Sequence, residues 1–229
     1  MYFGLFSLTD LMLLVPAMIL AIYAQQKVKS TYAKYAKVRA QAGLSGAQVA
    51  QNILRSNNIH DVEIEETPGQ LSDHYDPRTK TLRLSTDIYH NSSISALGIA
   101  AHEAGHAIQH HVDYTPLRVR HGLFPMVNIG SNMAIPLFIL GLFMNFGILM
   151  DIGIWLFAGV VAFQLVTLPV ELNASNRAIA QLTTGGYLAG EEIRSARKVL
   201  NAAALTYIAA TAVAVMHLIR LIILRGSRD

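Results

Sequence analysis

Two histidines and a glutamate stand at a spacing that could hold and use a metal ion. His102 and His106 are four residues apart, about one helical turn, so both imidazoles would project from one face and share a zinc ion. Glu103 would lie about 100° around the same helix, beside the metal rather than on it. There its carboxylate could take a proton from zinc-bound water, whose pKa zinc lowers to about 7.

The residues before this H-E-x-x-H sequence favour a functional helix over a chance pattern. Two unrelated histidines on an ordinary helix would give the same sequence. However, residues 94–101 are mostly small and apolar, as suits a helix buried at an active site. The chain contains no cysteine, so thiolate ligands and disulfides are excluded. Any metal must therefore be held by histidine and carboxylate groups.

A catalytic zinc ion needs a third protein ligand and an open fourth position. His110 and His111 lie further along the same helix, and we expect them to be solvated near the membrane surface, because a full turn separates His110 from His106. His74 and Glu171 are the other candidates. Glu171 is favoured, since two predicted membrane crossings return the chain to the side that it left. Its alternative role is to stabilise a helix N-terminus.

The composition indicates an integral membrane protein, because 52% of the 229 residues are hydrophobic and only 14% are charged. Soluble domains carry about a quarter charged residues. Four apolar stretches are long enough to span a bilayer, near 5–24, 124–143, 148–170 and 202–224. The first lacks the basic segment of a signal peptide and is predicted to be an uncleaved anchor.

The predicted fold class is mainly α, with about four transmembrane helices and a small α+β lobe. We expect a transmembrane anchor over 1–24, a soluble lobe with the zinc-binding helix over 25–122, a transmembrane hairpin over 123–170, a helical segment with the third ligand over 171–201, and a transmembrane helix with a basic tail over 202–229. Within the lobe, Lys80–Ser85 alternates like a strand, and the residues from Asp76 to Arg78 indicate a turn.

The distribution of basic residues predicts the orientation in a cell membrane. Of the 18 lysines and arginines, 11 lie between Lys27 and Arg120, and four lie between Arg177 and Lys198. The positive-inside rule therefore places the lobe in the cytoplasm. The three arginines near the C-terminus oppose this orientation unless the fourth helix stops short of a full crossing.

Four segments resemble the YugP-type family of membrane zinc metallopeptidases: Asp73–Arg78, Ala100–Gln109, Glu171–Ala178 and Ala203–Tyr207. The resemblance runs along nearly the whole chain. It implies a gluzincin-like core, with zinc on His102, His106 and Glu171 and with Glu103 catalytic. The related HtpX-type and Ste24-type peptidases carry an aspartate four residues after the ligand glutamate. This chain has Ser175 there, which leaves Asn173 and Ser175 as candidates to contact a zinc-binding histidine.

The sequence contains candidates for two further features of substrate binding. The developing oxyanion needs a hydrogen-bond donor, for which Arg177, His74 and Tyr75 are candidates. A salt-bridging arginine and a structural His-Tyr-Asp turn are the alternative interpretations. Gluzincin-like folds bind substrate along an edge strand, and Lys80–Ser85 is either that strand or an ordinary one.

The predicted function is zinc-dependent hydrolysis of peptide bonds, with a protein or peptide substrate and the lipid bilayer as partners. A homo-oligomer or a membrane-protein partner stays open, and no nucleic acid is expected. The alternative is a non-catalytic zinc-binding scaffold or metal sensor. A metal transporter is disfavoured, because its ligands would lie within the membrane spans rather than before them.

Overall fold

The computed structural model describes residues 8–70 and 72–227, which are mainly helical. The described elements, in chain order, are α1 (Leu8–Ala36), α2 (Gly46–Ser56), β1 (Glu63–Thr67), β2 (His74–Asp76), β3 (Thr81–Ser85), α3 (Thr86–His90), α4 (Ile94–His111), α5 (Thr115–Met144), α6 (Gly147–Thr184) and α7 (Glu191–Gly226). Residues 1–7 of the predicted anchor, and residues 228 and 229 of the predicted basic tail, lie outside the described part.

Four helices are long and apolar enough to cross a membrane: α1, α5, α6 and α7. Apolar side chains on these helices are widely exposed, including Met126 at 72%, Phe143 at 79% and Trp155 at 78%. Exposed apolar area on this scale would be unfavourable in water and is expected of a surface that meets lipid. The prediction of a mainly helical membrane protein with about four spans is confirmed.

The chain forms two compact units. One contains the described residues up to Gln25, together with Val119–Pro169 and the described residues from Leu205 onward. The other, which we call the lobe unit, contains Gln26–Arg118 and Val170–Ala204. Its core consists of fully buried side chains such as Ile53, Leu82, Leu97 and Leu182. The lobe unit thus has its own hydrophobic core and contains all the predicted site residues.

Helix α4 lies within this core and carries the H-E-x-x-H sequence. It begins after Ser93, whose side chain accepts a hydrogen bond from the Ala96 N–H at 3.1 Å. Such a cap satisfies one of the free N–H groups of the first turn. Small residues then fill the buried faces, with Ala96, Ala100 and Ala104 all 0% exposed. These short side chains allow neighbouring backbones to approach the helix closely.

The three-stranded sheet corrects two expectations from the sequence. Its order is β1-β3-β2, with β3 parallel to β1 and antiparallel to β2. The interpretation of Lys80–Ser85 as a substrate-binding edge strand is therefore wrong, because β3 is paired on both sides. The segment His74–Asp76 forms the edge strand β2, paired with β3, rather than the structural His-Tyr-Asp turn that was the alternative interpretation. The turn predicted around Asp76–Arg78 follows this strand at residues 77–80, with Lys80 at φ 52°.

Candidate metal centre

Helices α4 and α6 bring two imidazoles and one carboxylate together in the lobe unit. Glu171 Oε2 lies 3.3 Å from His102 Nε2 and 3.5 Å from His106 Nε2. One ligand atom from each residue lies within 4.8 Å of the others. The Glu171 side chain is almost completely buried, and both histidines are mostly buried. Among the described residues, this is the one cluster of at least three histidine, aspartate or glutamate side chains that could hold a metal ion.

The distances fit a tetrahedral zinc ion. Nitrogen and oxygen ligands lie about 2.0–2.2 Å from zinc, so two ligand atoms on adjacent tetrahedral corners are about 3.3–3.6 Å apart. The two contacts of Glu171 with the histidines fall within this range. Two nitrogens and one oxygen also form a donor set typical of catalytic zinc, which keeps a fourth position for water or substrate. The residues present therefore fit the metal.

A close approach of the two helices makes this convergence possible. A Cβ atom on Gly105 would lie 2.8 Å from the carbonyl oxygen of Ala174, which is too short for a real contact. Gly105 lies next to His106 in the motif, and Ala174 lies three residues after Glu171. The glycine therefore removes the side chain that would otherwise keep the carboxylate away from the imidazoles.

The second nitrogen of each histidine also has a partner. His106 Nδ1 lies 3.0 Å from Gln109 Oε1. His102 Nδ1 lies 3.2 Å from the hydroxyl of Ser175, the position at which the sequence departs from the HtpX-type pattern. Contacts of this kind orient metal-binding imidazoles. The sequence pattern pointed to Ser175 for such a contact, but it did not indicate Gln109.

Asn173 and Arg177 lie in the same hydrogen-bond network as Gln109. Gln109 Nε2 donates to the Val170 carbonyl oxygen at 2.8 Å and to Asn173 Oδ1 at 3.0 Å. Arg177 Nε donates to the same Asn173 oxygen at 2.8 Å. The contact of Arg177 with Asn173 is not the salt bridge considered as its alternative role. The i+3 spacing of Gln109 from His106 was the available signal for this network, but its partners on α6 are distant in sequence.

Glu103 lies within the motif and is only 8% exposed. Burial by itself lowers the pKa of His106, but the hydrogen bond and charge of Glu171, the charge of Glu103 and the contact with Gln109 outweigh it, so the pKa lies above its ordinary value. The surrounding carboxylates thus favour positive charge at this position. A proton and a metal cation would compete for it.

The remaining candidates lie on and beside β2. His74 is exposed, and its Nδ1 lies 2.8 Å from the Ser72 carbonyl oxygen, so it is not part of the three-residue cluster. The Tyr75 hydroxyl lies 2.8 Å from Nδ1 of His110. His110 is half-buried rather than fully solvated, because Tyr75 packs against it and the two residues line a cavity of about 210 Å³, whereas His111 is exposed.

The environment of Tyr75 keeps its phenol protonated. Burial, followed by the negative charges of Asp61 and Asp76, raises the pKa of Tyr75 to about 12. Asp73 supports the start of β2, since its carboxylate accepts hydrogen bonds from the Ser85 N–H at 2.7 Å and the Ser85 hydroxyl at 3.0 Å. Tyr75 therefore keeps its hydroxyl hydrogen at neutral pH, and its partner His110 lies about one helical turn beyond His106 on α4.

Comparison with known proteins agrees with this chemistry. Residues 10–226 match the model of a family described as "Putative neutral zinc metallopeptidase". The chain is 45% identical over 212 residues to the Bacillus subtilis (strain 168) protein named "Putative membrane protease YugP", and the match covers 93% of this chain and 94% of the relative. No solved structure matches the chain significantly. The chain therefore belongs to this family of zinc metallopeptidases.

Proposed function

We propose that the protein is a membrane-embedded zinc endopeptidase with a gluzincin-type ligand set. In this proposal His102, His106 and Glu171 bind zinc, and Glu103 is the general base and acid. The observation that carries it is the position of Glu171 Oε2, 3.3 Å and 3.5 Å from the two histidine Nε2 atoms. These separations suit ligands of one tetrahedral ion.

Zinc, when bound, would supply a Lewis acid that makes water nucleophilic near neutral pH and polarises the scissile carbonyl. Glu103 would accept the proton that this water loses and pass it to the departing amine nitrogen. Its position next to His102 in the motif, and its burial beside the ligands, support this assignment. The three ligands would hold their geometry through the close contact of α4 with α6.

Of the three candidates for oxyanion stabilisation, we favour Tyr75. Its phenol keeps its proton, and His110 can donate from Nδ1 to the phenol oxygen, which leaves the hydroxyl hydrogen for the substrate. Arg177 Nε is instead directed at Asn173, and His74 is exposed and contacts Ser72. The edge strand β2, which carries Tyr75, is also a better candidate than β3 for pairing with an extended peptide.

The proposed substrates are membrane-associated or misfolded proteins, cleaved on the cytoplasmic side. The lobe unit contains 14 of the 18 lysines and arginines, which favours this orientation. The Bacillus subtilis relative carries the name "Putative membrane protease YugP", which supports a protein substrate.

A single substitution tests the mechanism. Glu103→Gln removes the base but leaves all three proposed ligands, so the purified variant should bind zinc stoichiometrically and cleave casein about 10²–10⁴-fold more slowly than wild type. Glu63→Gln, the same change on the exposed strand β1, should cleave at the wild-type rate. Metal content and cleavage should be measured with and without a chelator.

Two outcomes would contradict the proposal. A Glu103→Gln variant that cleaves at the wild-type rate would remove Glu103 from the reaction. Stoichiometric zinc without detectable cleavage of any protein substrate by the wild type would instead favour a zinc-binding scaffold or metal sensor.

A further inference from the structure

We infer, on the basis of the proposed zinc site, that Arg177, Asn173 and Gln109 form a hydrogen-bond relay that fixes the tautomer of His106. The relay places the proton of the neutral imidazole on Nδ1 and leaves the lone pair on Nε2, the atom that faces Glu171. Gln109, Asn173 and Arg177 are positioning residues in this scheme. They act on zinc through His106 and do not touch the substrate.

The Val170 carbonyl group gives the first constraint on the relay, because it determines the orientation of the Gln109 amide. A backbone carbonyl oxygen can only accept a hydrogen bond, and the Gln109 amide group lies 2.8 Å from it. The atom at that position must therefore be the amide nitrogen, Nε2. The Gln109 side chain is 0% exposed, so bulk water does not compete for these contacts. Only one orientation of the Gln109 amide therefore satisfies the hydrogen bonds of both its nitrogen and its oxygen.

Arg177 gives a second and independent constraint. A guanidinium group carries donors only, so the Asn173 atom 2.8 Å from Arg177 Nε must be the oxygen, Oδ1. That oxygen accepts a second hydrogen bond, from Gln109 Nε2 at 3.0 Å. Hydrogen bonds to charged groups are stronger than neutral ones, so Arg177 holds the Asn173 amide firmly. Two unrelated acceptors, a carbonyl and an amide oxygen, thus orient the same nitrogen of Gln109.

The orientation of Gln109 determines the tautomer of His106. With Nε2 of Gln109 directed at α6, its Oε1 faces His106 Nδ1 at 3.0 Å. An amide oxygen can only accept, so Nδ1 must carry the hydrogen. A neutral imidazole has one N–H, and its other nitrogen, Nε2, is then free to donate its lone pair to a metal ion.

His102 is held differently. Its Nδ1 has the hydroxyl of Ser175 as partner, at 3.2 Å. A hydroxyl can rotate to donate or accept, so this contact is compatible with either tautomer of His102. The two histidines of the proposed zinc site are therefore not equivalent. The tautomer of His106 is set before the metal binds, whereas His102 can change its tautomer on binding.

The use of an amide also has an electrostatic consequence. The usual partner of a zinc-binding histidine is a carboxylate or a backbone carbonyl. A further carboxylate here would add negative charge close to the buried Glu103 and Glu171. The neutral Gln109 accepts the same hydrogen bond without that charge. Because an amide could bind in two orientations, the Val170 carbonyl selects one, and Asn173 with Arg177 reinforces that choice.

The tautomer of metal-free protein is the most direct test. Long-range ¹H–¹⁵N NMR spectra of the full chain should be recorded at about pH 9, where exposed imidazoles are neutral, with the His106 signals identified from a His106→Gln variant. Wild-type protein should show a proton on Nδ1 of His106, the nitrogen that faces Gln109 Oε1. A bare Nδ1 would overturn the inference, whether or not the protein proves to bind zinc or cleave peptides.

Variants test whether the relay matters for the metal. Gln109→Leu should give a mixture of His106 tautomers and weaken zinc binding about 10–100-fold in competition with a chelator. Asn173→Asp keeps the oxygen that accepts from Arg177 and Gln109 and should retain the wild-type tautomer. The matched control is Gln181→Leu on α6, whose amide instead contacts Asn57 at 3.4 Å, and it should bind zinc like wild type.

The results separate the relay from the proposed zinc site. An unchanged tautomer and unchanged zinc affinity in folded Gln109→Leu protein would refute the relay while leaving zinc binding intact. If Gln109→Leu does not fold, Asn173→Leu replaces it. Because the Val170 carbonyl still orients Gln109 in Asn173→Leu, this variant should lose less zinc affinity than Gln109→Leu. Unchanged zinc affinity in Asn173→Leu would count against the relay.

Discussion

The carbonyl oxygen of Ala174 lies 2.8 Å from the place where a Cβ atom on Gly105 would stand. This contact joins the helix that carries both histidines to the helix that carries Glu171. Backbone atoms cannot give way as a flexible side chain can, so even one methyl group would have to move α4 and α6 apart. The close approach of α4 and α6 at the proposed metal site therefore depends on the lack of a side chain at Gly105.

Gly105→Ala should therefore lose zinc and activity while the membrane spans still form. Separating the helices by even a few tenths of an ångström lengthens the contacts of Glu171 with the histidines, and we expect zinc affinity to fall at least tenfold, on the order of a lost supporting contact. Zinc content after dialysis against a weak chelator measures this effect.

Gly98→Ala is the matched control on the same helix. A Cβ there would meet Ala196 at 3.9 Å, an ordinary contact, and alanine favours the helix over glycine by about 1 kcal/mol. This variant should keep its zinc and be no less stable than wild type. Equal zinc retention by both variants would show that the close approach is not needed.

Zinc affinity should decrease as the pH falls from 9 to 6. The pKa of His106 in the metal-free protein lies above the ordinary value, so its protonated form, which cannot bind zinc, begins to compete at a higher pH than for an exposed histidine. Each proton displaced on binding lowers affinity by up to about tenfold per pH unit below that pKa. Chelator competition at several pH values measures the slope, and a flat profile would contradict the assignment of His106 as a ligand.

Tyr75→Phe should reduce kcat and leave zinc binding unchanged. The phenol oxygen is the proposed donor to the oxyanion, and loss of one such donor costs about 10²–10³-fold in kcat. Steady-state kinetics on a fluorogenic peptide would separate kcat from KM. A change confined to KM would assign Tyr75 to ordinary substrate binding instead.

The sequence predicted the parts of the site that depend on local spacing and on topology. The four-residue interval between His102 and His106 needs only helical geometry, and two apolar stretches before Glu171 return the chain to the same side. These features depend on periodicities that do not require knowledge of neighbouring elements.

The features that were missed depend on contacts between distant segments. Gln109 is one amide among several in the sequence, and its role follows only from the proximity of Val170 and Asn173, more than sixty residues later. Strand β2 has three residues and takes its hydrogen bonds from β3, so local turn signals dominated the prediction. The contact of Tyr75 with His110 likewise joins residues 35 positions apart.

Because the chain contains no cysteine, a cysteine introduced by mutation carries its only thiol. Labelling of that thiol then shows on which side of the bilayer the residue lies. Thr79, exposed just before β3, and Phe146, exposed between α5 and α6, are suitable positions. With the lobe in the cytoplasm, an impermeant maleimide applied to intact cells should label Phe146→Cys and should reach Thr79→Cys only after the membrane is opened. The reverse pattern would place peptide cleavage on the outer face of the cell.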